Sequence, residues 1–488
     1  MSQKAIEGLN PTILWQRFYE ISQIPRPSKH EEKIVDYLKK FAKKHNLQLK
    51  VDTTNNVVIK IPASKGYENK PTVVLQAHVD MVCEKNKGTN HDFENEQLKL
   101  IREGEWIKAD GTTLGADNGI GVAAALSIAT DNSLEHGPIE LLFTVDEETG
   151  LTGANNLKPN FIDGKMLLNL DSEEDGVFYV GCAGGVDTVG TYKIEFEDPY
   201  KDFIPYEILL TGLKGGHSGL NIADGRANAI KLMARFLSEI NGFQFQIASF
   251  TGGSKRNAIP RESEVVILIE PKSETLLKED AKKFVQEALY EYEVNDSLLA
   301  IKIEKRNENV GKVFSKGFFE KILNVLLALP HGVISMSPHI KGLVETSTNL
   351  ATITIENDLL KIGTSQRSSI ESAKEAVCRS VKAVFELSGA QIEVGDGYPG
   401  WKPNMDSKVL RLAKEVYRQK FNKEAEIKAI HAGLECGILG DKYPGLDMIS
   451  FGPTIIGAHS PDEKVNIRDV EKFYNLLKAI LIKIASAN

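Results

Sequence analysis

Residues 71–80 read PTVVLQAHVD. The run is apolar and β-branched, the mark of a strand buried on both faces. It ends on a histidine and a carboxylate. Residues i and i+2 of a strand share a face, so His78 and Asp80 project together. Three further runs have the same character: IELLFTV at 139–145, MLLNL at 166–170 and DMISF at 447–451. Among them DNGIGVAAALSIAT at 117–130 is small and apolar and reads as a buried helix. VEKFYNLLKAILIKI at 470–484 reads as an amphipathic helix. Residues 1–45 read as helical, with Ile34, Leu38 and Phe41 on one stripe. LQLKV and VVIKI come next as short strands around the turn at 53–56. Strands alternating with helices argue for an α/β fold with a mostly parallel sheet.

The stretch from about 187 to 395 differs. YEILLTG at 206–212 is followed by a helix at 226–240, strands at 243–250 and 264–270, a helix at 276–292 and a strand at 299–305. A second series runs through a helix at 317–329, strands at 349–356 and 359–365, a helix at 370–387 and QIEV at 391–394. These are two approximate α+β units in succession. The expected organisation is therefore one α/β domain in two parts, 1–186 and 396–488, interrupted by an inserted α+β domain at 187–395. The ends of such an insert should lie close together.

Composition narrows the function classes. Across 488 residues, 59 basic and 67 acidic side chains leave a net charge of −8. No basic excess meets a phosphate backbone, so nucleic acid is not an expected partner. No apolar run approaches the roughly 18 residues that span a bilayer, and no membrane partner is expected. The N-terminus lacks an apolar signal region with a small-residue cleavage site. Four cysteines, Cys83, Cys182, Cys378 and Cys436, lie far apart without a CxxC. A disulfide framework is not expected in so long a chain, and the cytoplasm is the expected compartment.

Five short segments place metal-ligand chemistry where a buried strand ends or a helix opens. They are His78-Val79-Asp80, Gly115-Ala116-Asp117-Asn118-Gly119, Asp146-Glu147-Glu148, Asp171-Ser172-Glu173 and Gly457-Ala458-His459-Ser460. In open α/β sheets the ligand crevice lies outside the carboxyl ends of the strands. Each segment alone has an ordinary explanation: a satisfied histidine, a helix cap, a solvated turn. Together, three or more carboxylates at one sheet edge would repel unless cations neutralise them. Oxygen and imidazole donors without thiolate suit zinc, manganese or cobalt.

HVD, GADNGIG, DEETG, NLDSEE and GAHSPDE resemble the motifs of the di-zinc peptidases that include carboxypeptidase G2-like enzymes and cytosolic dipeptidases. Within that group IPRPSKHEEKI at 24–34, LQAHVDMVCEK at 75–85 and HAGLECG at 431–437 most resemble the aminoacyl-histidine (Xaa-His) dipeptidases. The resemblance implies a catalytic domain with a mostly parallel sheet and a lid formed by the insert. It implies two divalent ions, zinc foremost, with cobalt or manganese as alternatives. His78 and Asp171 would hold one, Glu148 and His459 the other, and Asp117 would bridge them. Asp80 would orient the His78 ring, and Glu147 would be the general base. The implied reaction is hydrolysis of dipeptides, Xaa-His and broader, by a metal-bridged water. Three anionic ligands and a hydroxide would balance the four positive charges of two ions.

In the insert, GGHSG at 215–219 carries His217, RNAIP at 256–260 carries Asn257, and SQRSS at 365–369 carries Arg367. The resemblance implies that His217 stabilises the tetrahedral oxyanion and that Asn257 and Arg367 hold the terminal carboxylate. Arginine is the bidentate carboxylate partner. Glu435, in HAGLECG, is expected to meet the substrate ammonium or to be a buried structural carboxylate. Because the insert holds two units where smaller relatives have one, His217 is expected to act within its own chain, whether or not the protein is a homodimer. A related amidohydrolase acting on N-acyl amino acids or other short amides would keep the same metals and base. A non-catalytic scaffold would tolerate loss of Glu147 or of a ligand, and none is lost.

Overall fold

The computed structural model describes residues 2–487. It divides into two compact units. The first takes in the chain up to Gly181, Pro403–Ala429 and the C-terminal stretch from Leu434; the second is Cys182–Lys402 with Ile430–Gly433. The expected insert, 187–395, is narrower than the second unit. The strand Gly184–Lys193 pairs along its whole length with Leu359–Ser368, so the break falls ahead of it. Trp401 and Tyr398 bridge back to Cys182 and Gly185, which keeps 396–402 in the same unit.

The first unit is built on an eight-stranded sheet. Its centre is parallel, in the order Ile139–Thr144, Val73–His78, Met166–Asn169, Asp447–Ser450. These are the four apolar runs read from the sequence. Every residue of Val73–His78 and Ile139–Thr144 is buried. Each large apolar side chain removed from water there contributes about 1.5–3 kcal/mol. Antiparallel strands flank this centre: Gln48–Val51 and Val57–Ile61 on one side, Val177–Cys182 on the other. In register, His78 stands beside Thr144, and Val73 stands beside both Ile139 and Met166. The carboxyl ends of the three strands are therefore level, and the segments that leave them emerge at one edge.

The helix Ala116–Ile128 packs on Val73–His78 and on the helix Thr12–Ser22. It is buried on nearly every face, as its small apolar residues require. A Cβ on Gly121 would come within 2.8 Å of the Leu170 carbonyl, so only glycine lets the helix lie this close to the sheet. A four-stranded antiparallel sheet joins Leu100–Glu103, Trp106–Ala109, Lys464–Asn466 and Ile455–Ile456. The loop 457–463 is the tip of its Ile455–Ile456/Lys464–Asn466 hairpin.

The second unit is built on a nine-stranded antiparallel sheet with helices packed on it, beside two short two-stranded ribbons. Its first half is Ile204–Thr211, helix Ala229–Glu239, Phe245–Gly252, Ser263–Ile269, helix Glu274–Tyr292 and Ala300–Lys305. Its second half is Gly184–Lys193, helix Lys316–Ala328, Val344–Glu356, Leu359–Ser368, helix Glu371–Leu387 and Gln391–Val394. Apart from short strands off the main path, such as Gly332–Met336 beside Val344–Glu356, both halves have the order strand, helix, strand, strand, helix, strand. In both, the sheet order is fourth, first, third, second. They join antiparallel through their second strands at Gly252 and Ile353. Gly184–Lys193 supplies the second half's first strand, which the sequence pattern does not mark. Among the described residues, no helix is long and apolar enough to cross a membrane.

Candidate metal centre and substrate site

The five segments meet within the first unit. His78 Nε2 lies 3.1 Å from Asp117 Oδ1 and 3.2 Å from Asp171 Oδ1. His459 Nε2 lies 3.2 Å from Asp117 Oδ2 and 3.0 Å from Glu148 Oε2. Asp117 thus gives one oxygen to each of two donor triads, His78–Asp117–Asp171 and Asp117–Glu148–His459, each with its ligand atoms within 4.8 Å of one another. His78 and Glu148 also group with Glu147 at this distance. Asp117 stands at the mouth of its helix with non-helical φ and ψ. His459 has a left-handed φ of 63° at the hairpin tip.

Asp80 is fully buried beside His78, with Oδ1 at 3.3 Å from Nδ1. It also accepts the Ser28 hydroxyl and the backbone N–H groups of Glu147 and Glu148. Burial raises the Asp171 carboxyl to about 6, with the charges of Asp117 and Glu148 adding to the shift. Burial drives Glu147 well above the usual carboxylate range, despite the opposing pull of His78. Burial opposes the charge on Asp117, yet hydrogen bonds from His459 and His78 hold its carboxyl low. Hydrogen bonds to Asp117 and Glu148 raise the His459 imidazole to about 11. The centre is short of positive charge, and Glu148 Oε1 is buried without a hydrogen-bond partner.

Two nearby carboxylates escape the sequence reading as site residues, although both lie in quoted motifs. Glu173, two residues beyond Asp171, is raised to about 8 by burial and by the charges of Asp117 and Asp171. Glu463 closes GAHSPDE. Spacing from Asp171 is the signal that could have found Glu173; Glu463 bonds only to backbone N–H groups, which leave no such signal.

Glu435 opens the helix Glu435–Lys442. It is wholly buried, and Oε2 accepts from Gln76 Nε2 at 2.6 Å and Thr144 Oγ1 at 2.7 Å. Its other oxygen, Oε1, is buried without a hydrogen-bond partner. Burial raises its carboxyl to about 7. From Gln76 the network continues to Asn169, Ser450 and Ser172, next to Asp171. From the start of its helix Glu435 thus bonds to side chains of the sheet beneath the centre.

In the second unit, Gly216–His217 pairs with Ala258–Ile259, and Ser218 N–H donates to the Asn257 carbonyl at 2.8 Å. The Asn257 side chain is exposed. His217 Nδ1 accepts the N–H groups of Gly219 and Leu220 at 3.2 and 3.1 Å. This fixes the neutral tautomer with its proton on Nε2. Burial, with the Arg367 charge adding, lowers His217 to about 4 and keeps it neutral near pH 7. Arg367 is buried, donates to the Tyr398 hydroxyl at 2.8 Å, and keeps Nε without a partner.

The chain as a whole is similar to known proteins. The chain is 40% identical over 480 residues to the cytosol non-specific dipeptidase of Escherichia coli strain K12, covering 98% of this chain and 99% of that one. The crystal structure of an aminoacylhistidine dipeptidase from Vibrio alginolyticus matches with a TM-score of 0.90 at 42% identity, covering 99% of each chain. A Staphylococcus aureus tripeptidase shares the fold at 19% identity, with a TM-score of 0.57 over 98% of this chain and 100% of that one. A profile of peptidase family M20/M25/M40 matches residues 74–483, from the strand that ends on His78 into the C-terminal helix, and so takes in both donor triads. The chain belongs to peptidase family M20/M25/M40.

Proposed function

We propose that the chain is a cytoplasmic metallo-dipeptidase that hydrolyses Xaa-His and broader dipeptides. The observation that carries this is the division of Asp117, one oxygen toward His78 and Asp171 and the other toward His459 and Glu148. The donor set fits two divalent cations: oxygen and imidazole only, an excess of carboxylate, and a buried oxygen of Glu148 with no partner. Zinc suits this set, and cobalt or manganese would serve. When bound, two such ions lower the pKa of a water and polarise the scissile carbonyl. The extensive similarity to chains named as dipeptidases supports the substrate class.

The protein's own residues divide the remaining work. Asp80 holds the His78 ring so that Nε2 faces Asp117 and Asp171. Glu147, outside both Asp117 triads, takes the proton of the attacking water and passes it to the leaving amine. A base in this role contributes about 10²–10⁴-fold. His217 offers its Nε2 proton to the developing oxyanion. Arg367 and Asn257 pair with the substrate's terminal carboxylate, with Tyr398 steadying the guanidinium.

The test is hydrolysis of a panel of dipeptides and N-acetyl amino acids by metal-stripped protein, with zinc, manganese or cobalt added back. Dipeptide cleavage that returns with about two ions per chain is expected. Turnover confined to N-acetyl amino acids would point instead to an amidohydrolase. Turnover independent of metal would overturn the reading.

A further inference from the structure

The last residue of GAHSPDE has no part in the proposed reaction, yet it is among the most heavily bonded carboxylates in the chain. Glu463 is 2% exposed. Its Oε2 accepts the backbone N–H of Leu114 at 2.7 Å and of Gly115 at 2.8 Å. Its Oε1 accepts those of Ala116 at 2.7 Å and Asp117 at 3.2 Å. The first N–H groups of a helix have no partner within the helix. Here one side chain, supplied by a hairpin loop far along the chain, takes four successive donors from the segment that leads into it.

Arg26 grips the same segment. It is 1% exposed and donates to the carbonyls of Val79 at 3.0 Å, Asp80 at 2.7 Å and Gly115 at 2.5 Å. A Cβ on Gly115 would come within 2.4 Å of this guanidinium, so the backbone lies directly against it. Arg26 therefore ties 114–117 to the residues just after His78. Glu463 ties it to the loop of His459, four residues earlier. Asp117 has φ −77° and ψ 111°, outside the helix, so helical hydrogen bonding does not set its place.

We propose that Glu463, with Arg26, is a positioning residue that fixes where Asp117 stands between the two triads. Asp117 and His459, two ligands of one triad, share the Glu463 anchor. Its loss acts first on the ion they would hold with Glu148. This rests on the reading of Asp117 as a bridging ligand, and an Asp117→Asn control separates the two.

The test uses the full-length chain as Glu463→Gln, Glu463→Asp and Asp117→Asn. Affinities for Zn²⁺ and Co²⁺ are measured by chelator competition, beside visible spectra of the cobalt-loaded proteins and melting of the metal-free proteins. Gln keeps the length but offers one acceptor oxygen where four donors converge. Asp keeps the charge facing Arg26 and serves if the Gln variant does not fold. We expect Glu463→Gln to lower affinity for one of two ions about 10–100-fold, as loss of a ligand-orienting group does. The cobalt spectrum should change, and kcat should fall more than KM rises. Glu463→Asp should show a smaller loss in the same direction.

A purely structural Glu463 would lower the melting temperature of metal-free protein and leave ion affinity and spectrum alone. That result, in whichever variant folds, overturns the proposal. Asp117→Asn losing an ion while both Glu463 variants keep two at full affinity would overturn the positioning role and spare the metal reading. Undiminished binding in Asp117→Asn would overturn both.

Discussion

Asp80 Oδ1 lies 3.3 Å from His78 Nδ1, and Nε2 of the same ring faces Asp117 and Asp171. Because Asp80 also accepts the N–H groups of Glu147 and Glu148, it sets the imidazole and the adjoining carboxylate pair together. Asp80→Asn should lower metal affinity about 10–100-fold. Unchanged affinity in a chelator titration would reduce Asp80 to a turn residue.

Glu147→Gln should keep both ions and lose turnover. The substitution removes the proton acceptor and leaves the two Asp117 triads intact. A fall in kcat of at least about 10²-fold is expected, measured alongside metal content by elemental analysis. Near-normal turnover at full metal content would remove Glu147 from its assigned role.

Arg367→Ala should penalise dipeptides with a free carboxylate more than their C-terminal amides. Loss of a charge-assisted hydrogen bond costs about 1.5–3 kcal/mol. Comparison of kcat/KM for matched acid and amide pairs reads the difference directly. Equal losses would mean that Arg367 serves only the packing around Tyr398.

Lys231 joins the two halves of the second unit. Its Nζ, on the helix Ala229–Glu239, donates to the carbonyls of Leu326, Leu327 and Leu329 at 2.8–2.9 Å, at the end of the helix Lys316–Ala328. A cation there satisfies carbonyls that the helix leaves unpaired. Lys231→Met keeps the apolar stem and removes the donor. Urea unfolding should show a loss of about 1.5–3 kcal/mol, and an unshifted midpoint would contradict this role.

Acid should weaken the fold through its buried histidines. His217, His331 and His431 are each lowered to about 4, by burial first and by neighbouring cations second. An unfolded histidine titrates near about 6.5. Between these values the unfolded chain binds protons that the native chain refuses. The contribution of these three histidines to native stability is therefore full above about pH 6.5 and declines as pH falls toward 4. Denaturation of metal-free protein at pH 7.5, 6 and 5 measures the slope. His331→Gln should have a shallower slope than the parent, and an identical slope would exclude His331 as a contributor.

The parallel centre is legible in the sequence because its strands announce themselves locally; the donor triads are legible only from the five segments taken together and from the family resemblance. Val73–His78 is apolar to its last residue and then presents His and Asp, and the same holds where Asp146 and Asp171 come after their strands. Glu463 and Arg26 are hidden because their partners are backbone groups distant in the chain, and backbone groups carry no sequence signal. In the second unit the order of elements is readable. The strand Gly184–Lys193 is not, since its glycines and alternating polar residues give a weak pattern and its partner lies far downstream.

That strand has a consequence for synthesis. The first half of the second unit holds all its strands once Lys305 has been made, with Tyr206 already able to pair with Lys305. Gly184–Lys193 must wait for Leu359–Ser368, which ends 175 residues after Lys193. At about 5–20 residues per second on the ribosome, that is a delay of roughly 9–35 seconds. During it the strand has both hydrogen-bonding edges open, the condition in which a nascent chain recruits the wrong strand. A slowly translating or overproducing cell is expected to lose this protein to aggregation at that stage, before its second half closes.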